Sequence, residues 1–238
     1  MIKIKNKCCI EMMKSMSDEC VDLLLTDPPY KITQGGRSKK VSKNEVKGIF
    51  DRNRVGSRNG KLFQHNDIKF KDWLPEAYRV LKDGSHAYIM VNDKNMQELL
   101  NEASKVGFKL HNILVWKKNN ATPNRWYMKN SEFIVMFRKG KAKVINDCGS
   151  TSVFEIDNIR GDRLHPTQKP IELFEKLILN STMPGQVVFE PFSGSGSCLV
   201  ACQNTGRHCV SAELDRAYYE VSVMRVEENN QQVLKVAA

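Results

Sequence analysis

The chain has 238 residues, 41% of them apolar, and a formal charge of +10. That suits one large domain with a sizeable core, and no apolar run approaches the ~20 residues that a membrane-spanning helix needs. The opening MIKIKNKCCI lacks the apolar core of a secretory signal, and seven cysteines without an export signal predict reduced thiols, so a cytoplasmic protein with no membrane association is expected.

In chain order, residues 1–5 alternate apolar and polar and predict a short strand, followed by a short helix over 9–16. Val21 to Thr26 is a nearly continuous apolar run, the pattern of a strand buried on both faces of a parallel sheet. It leaves through Asp27-Pro28-Pro29-Tyr30, which can neither continue a sheet nor start an ordinary helix. Residues 31–66 read as an inserted loop; between Lys31 and Lys61 it carries ten Lys/Arg against two acids, Glu45 and Asp51. Charge this concentrated suits either a polyanionic partner or a solvated loop.

Helical spacing from Trp73 to Leu81 stops at Asp83-Gly84, and Ala87 to Val91 is a second buried strand. A helix over 94–106 ends at Gly107. The runs 111–116 and 132–137 read as strands with no helix between them, which suits an antiparallel hairpin at a sheet edge. The intervening 117–130 reads as a basic loop carrying Lys117, Lys118, Arg125, Trp126 and Tyr127. For its two aromatics, packing under the loop and contact with a base are both open. A helix over 170–181, a strand over 186–189, a helix over 198–205, a strand over 208–213 and a helix over 216–228 complete the chain. Strands alternating with helices predict a largely parallel α/β sheet in a single domain over 1–238. Cys198 and Cys202 stand one helical turn apart; apolar packing is the expected role and no metal is predicted.

Two turns carry chemistry. Val187 to Cys202, VVFEPFSGSGSCLVAC, runs from a strand through Gly194-Ser195-Gly196 into a helix. Glycines there let the backbone approach a ligand closely, yet neither a P-loop nor the full dinucleotide fingerprint is present. The next strand ends at Glu213, where an acid suits a ribose diol.

Together these stretches resemble the amino-methyltransferases that modify DNA bases with S-adenosylmethionine. TDPPY is similar to their [DNS]-P-P-[YFW] catalytic motif, EPFSGSG to their cofactor loop, and HPTQKP (His165 to Pro170) to the lead-in to the helix before that loop. The catalytic motif comes first, the order of the β class. The resemblance implies a Rossmann-like fold, circularly permuted, with a seven-stranded mixed sheet and helices on both faces. It implies Asp27, Pro28, Pro29 and Tyr30 as the catalytic turn. Around S-adenosylmethionine it implies Asp27, Glu190, Phe192, Gly194, Ser195, Gly196 and Glu213, with Thr167 and Lys169 near the methionine carboxylate, although Lys169 also reads as a solvated surface lysine. His165 is expected to be structural. Glu190 stands where the family has Asp, and Lys7-Cys8 where it often has Gly-Asp near the adenine. The implied substrate is double-stranded DNA, and the implied reaction is site-specific methylation of adenine N6. A cytosine-N4 or RNA enzyme and an inactive nucleic-acid-binding homologue are the alternatives. The resemblance admits a homodimer and a restriction endonuclease partner; the sequence decides neither.

Overall fold

Val21 to Thr26 forms strand β2, buried at every position as its apolar run predicts. In the computed structural model, residues 1–29, 67–122, 126–159 and 168–237 are described. Tyr30, the basic segment 31–66, Arg125, His165 and Thr167 lie outside them.

Before β2 come β1 (Ile2–Asn6) and helix α1 (Cys9–Lys14). After it come α2 (Phe70–Val80), β3 (Leu81–Val91), α3 (Met96–Lys105), β4 (Lys109–Thr122) and β5 (Lys129–Arg138). The chain ends with β6 (Val153–Glu155), α4 (Ile171–Ser181), β7 (Val187–Glu190), α5 (Ser197–Asn204), β8 (His208–Glu213) and α6 (Arg216–Ala237).

Among the described residues the sheet has eight strands, not the expected seven, in the order β1-β8-β7-β2-β3-β5-β4-β6. The unforeseen β6 is three residues long and pairs with β4 parallel, too short to show a periodic pattern of its own. The hairpin of β4 and β5 is antiparallel as expected, but β6 covers its outer side. The loop expected at 117–130 is largely strand: β4 runs on to Thr122 and β5 starts at Lys129. Polar residues that read as a loop alternate here along a ribbon exposed to water, where pairing needs no apolar run. The expected helix stop at Asp83-Gly84 instead lies inside β3, at a bulge where Gly84 takes φ +75°.

Strand alternation divides the core. Leu24, Ala87, Ile89 and Val91 face α1, α2 and α3, while Leu23, Leu25, Tyr88 and Met90 face α4 and α5. Helices therefore cover both faces. In the second layer, Cys198, Cys202 and Cys209 are buried, with their Sγ atoms within 4.8 Å of one another.

Strands β1, β8, β7, β2 and β3 are mutually parallel, so their carboxyl ends share one edge. β5 opposes β3 and β4 opposes β5, which brings the start of β5 and the end of β4 to that same edge. From β7 the chain moves to β8 on one side; from β2 it moves to β3 on the other. The β7/β2 pair is therefore the point of reversal, where open α/β sheets form a ligand crevice. Asp22, near the start of β2, holds this pair in register. Its carboxylate accepts the Val187 amide at 2.9 Å, the Gln186 side chain at 3.2 Å and the Lys82 ammonium at 2.7 Å.

Candidate active site

At the crevice, β2 ends in Thr26 and gives way to Asp27-Pro28-Pro29, while β7 ends in Glu190. The Thr26 hydroxyl donates to Glu190 Oε1 at 2.6 Å, and the Phe192 amide donates to the same oxygen at 3.1 Å. Burial pushes the Glu190 carboxyl well above its ordinary range, and these two donors offset part of that. Glu190 is thus a buried latch between the two strand ends, and the extra methylene relative to Asp is taken up in reaching Thr26.

The Asp27 side chain is 21% exposed, and its Oδ2 accepts the Lys169 ammonium at 2.5 Å. Burial raises the Asp27 carboxyl above the usual range; Lys169 opposes the rise and Glu132 adds to it. Lys169 lies just before α4, with a side chain only 7% exposed, so it is not a solvated surface lysine. Its ammonium also lies 3.3 Å from Glu132 Oε2, and its carbonyl accepts the Ser197 hydroxyl at 2.9 Å. One residue therefore joins the proline turn to the first residue of α5, beyond the glycine turn. Sequence reasoning placed Lys169 near the ligand carboxylate; the structure pairs it with Asp27 and Glu132.

The glycine turn follows β7. Gly194 takes φ +53° and Gly196 φ +79°, left-handed conformations that a side chain strains. A Cβ on Gly196 would also press on Ser222 Cα at 3.2 Å, whereas one on Gly194 would enter open space. Gly194 thus leaves open space where a side chain would stand. Its amide donates to Glu213 Oε2 at 2.7 Å, and the Asp215 amide donates to Oε1 at 2.9 Å. Burial raises the Glu213 carboxyl, and these two amides counter it. Ser195 is buried and turned to α6, where its hydroxyl and carbonyl accept from Arg225 at 3.3 and 2.5 Å. Phe192 packs edge-on against Trp73 of α2, ring centroids 5.3 Å apart.

Cys8 sits in the β1–α1 turn as the residue capping α1. The neighbouring Lys7 amide donates to the Glu213 carbonyl at 3.1 Å, which brings this turn beside the end of β8. Pro28 and Pro29 continue from Asp27 at the same edge. Predicted residues from five separated stretches thus converge. Sequence reasoning missed Thr26, Glu132 and Trp73, and read Lys118 as part of a basic loop rather than as a partner of Glu132. Glu132 left one signal, an acid heading the apolar run EFIVMF.

At the tip of the β4–β5 hairpin, Trp126 and Tyr127 are 87% and 91% exposed. Of the two readings left open for them, packing beneath the loop is excluded by this exposure. Lys117 and Lys129 on the same ribbon pair at its surface with Glu155 and Asp93.

A family model described as DNA methylase matches residues 21–162 and 149–224. The type II methyltransferase M2.MboI of Moraxella bovis is 27% identical over 240 residues, covering 92% of this chain and 85% of its own. M2.DpnII of Streptococcus pneumoniae is 27% identical over 243 residues, covering 93% and 88%. Among solved structures, the M1.HpyAVI–SAM complex superposes with a TM-score of 0.69 at 24% identity, covering 94% of this chain and all of that one. The cytosine-N4-specific PvuII methyltransferase superposes with a TM-score of 0.68 at 15% identity, covering 98% and 93%. With the family model matched over most of its length, the chain belongs to the N6/N4 DNA methylase family.

Proposed function

We propose that the protein transfers the methyl group of S-adenosylmethionine to adenine N6 at a specific site in double-stranded DNA. One observation carries this reading: Asp27 and the Gly194–Glu213 turn stand at one sheet edge, tied together by Lys169 and by the Thr26–Glu190 bond. The residues fit the cofactor. Gly194 leaves open space where a side chain would stand, Glu213 stands at the tip of the next strand, and Phe192 offers a half-buried ring beside them. Glu213 suits the ribose diol, the turn from Phe192 to Gly196 the nucleoside and methionine portions, and Cys8 flanks the adenine end. Bound there, S-adenosylmethionine supplies an activated methyl group on a sulfonium.

The remaining work belongs to the protein. An exocyclic amine on a base is a weak nucleophile because its lone pair is shared with the ring. The Asp27 carboxylate and the Pro28 carbonyl accept its hydrogens, which lets the nitrogen turn tetrahedral as it attacks. The prolines fix the backbone and hold these acceptors before the base arrives, so no reorganisation is needed at the reaction. Tyr30 is suited to stacking on the base. A target inside a duplex cannot reach Asp27, so the base must be extruded into the crevice. The exposed Trp126 and Tyr127, with the lysines of the same ribbon, offer a surface for the DNA that remains stacked. Asp at the head of the catalytic turn favours adenine over cytosine. The names of the relatives, type II methyltransferases, support a place in the cytoplasm beside a restriction endonuclease that reads the same sequence.

Incubation with methyl-labelled S-adenosylmethionine and duplex DNA, followed by digestion to nucleosides, tests the reading. Label in N6-methyladenine is expected. Label in N4-methylcytosine overturns the choice of base, and no transfer despite cofactor binding overturns the enzymatic reading.

A further inference from the structure

From the proline turn to the hairpin runs a row of alternating charge. Asp27 meets Lys169 at 2.5 Å, Lys169 meets Glu132 at 3.3 Å, and Glu132 meets Lys118 at 3.0 Å. The four residues come from four places: the turn after β2, the segment before α4, the head of β5 and the outer part of β4. The two cations are mostly buried, with side chains 7% and 11% exposed. An ammonium held in so dry a place binds its partners strongly and lets go of them with difficulty.

Were Asp27 the sole partner of Lys169, the ammonium would close on the carboxylate and compete with any substrate hydrogen for its oxygens. Glu132 divides the ammonium between two acids. It is itself kept anionic, because Lys169 and Lys118 outweigh the burial that would raise its carboxyl. Sequence reasoning gave Glu132 no part and Lys118 only a place in a basic loop, and both belong to the hairpin rather than to either motif.

We infer that Glu132 is a positioning residue which, by sharing the Lys169 ammonium, keeps the Asp27 carboxylate open toward the target amine. This rests on the reading of Asp27 as the group that meets the amine. Lys118 completes the row by neutralising Glu132 from the far side. Because Glu132 and Lys118 lie on the two strands of the ribbon that exposes Trp126 and Tyr127, the element offered to DNA and the catalytic acid are joined by these contacts.

Among the described residues, three titratable groups face Asp27: Lys169 from the lead-in to α4, Glu132 from β5 and Glu190 from β7. Glu190 is common to every variant below, so it cancels. The experiment follows the carboxyl carbon of Asp27 by NMR through a pH titration of the free full-length protein, in native, Glu132→Gln and Lys169→Met forms. Removing Glu132 takes away a neighbouring negative charge and leaves a larger share of the Lys169 ammonium to Asp27, so the midpoint moves down. Removing Lys169 takes away the opposing positive charge, so the midpoint moves up. Steady-state assays of Glu132→Gln should show kcat lowered by about ten- to a hundredfold with KM for DNA little changed. Glu132→Asp, which keeps the charge, should recover most of that loss. Midpoints that do not move, or that move in the same direction, overturn the inference, as does a native kcat in Glu132→Gln. A variant that had merely lost packing would melt earlier without opposed shifts, which also counts against it. Should the native protein transfer no methyl group while the midpoints split as expected, the enzymatic reading falls and the coupling of Glu132 to Asp27 stands.

Discussion

Asp27 has a buried setting and a neighbouring acid that favour its neutral form, against one ammonium that favours its charge. The balance leaves its carboxyl above the ordinary range, while the proposed role needs the anion. The sign follows directly. Protonation of Asp27 removes the acceptor, so activity falls as pH falls, and it begins to fall at a higher pH than an ordinary aspartate would set. Asp27→Asn should lower kcat by about a thousandfold, abolish that acid limb and leave cofactor affinity unchanged by calorimetry. Retained turnover would remove Asp27 from the chemistry. Glu213 shows the same economy at the other turn. Its two oxygens accept two backbone amides, so the turn is held in shape before any ligand arrives.

Elements decide what those residues can reach. Helix α5 follows the cap residue Gly196, whose left-handed backbone and contact with Ser222 leave no room for a side chain, so the turn is pinned between β7 and α6. The β4–β5 ribbon does the reverse: it projects, and just before the start of β5 it exposes two aromatic rings. Exposed rings of this kind contribute little to folding, since surface substitutions usually change stability by less than about 0.5 kcal/mol. The double variant Trp126→Ser, Tyr127→Ser should therefore melt as the native protein does. If the tip meets DNA, loss of stacking on each ring should weaken DNA binding by about 1–3 kcal/mol, seen in a fluorescence titration, with cofactor binding intact. Unchanged DNA affinity would leave the ribbon as scaffold alone.

Across the whole molecule, stability depends on polar ties between layers as well as on the two apolar cores. His86 of β3 donates or accepts at Ser181 Oγ, 2.9 Å away, and at the Lys143 carbonyl, 2.8 Å away; the Tyr88 hydroxyl meets the same serine at 2.9 Å. The carbonyl can only accept, so Nε2 carries the proton toward Lys143 and Nδ1 accepts from the Ser181 hydroxyl. Burial lowers the pKa of His86, which keeps the ring neutral in the fold. The unfolded chain binds a proton at His86 below about pH 6.5 more readily than the native one does. The stability this gives is present above that pH and is lost as pH falls. His86→Gln should melt below the native protein at pH 7.5, and the gap should narrow as pH drops toward 5. A gap that stays constant would mean that His86 does not titrate differently on folding.

The sequence alone carried the alternation of strands and helices, the acidic proline turn, the glycine turn and the acid at the tip of the following strand, while the meeting of the two turns was only implied by the resemblance. These are local patterns: apolar runs, glycines and prolines constrain the backbone wherever they occur. The tertiary structure alone decided that Lys169 serves Asp27, that Glu132 shares it, and that the region read as a basic loop is mostly a ribbon. Those outcomes depend on which residue stands opposite which across β3, β5 and β4. Register between strands distant in the chain is set by packing of the whole sheet, and a charge leaves no periodic trace of the partner it will meet.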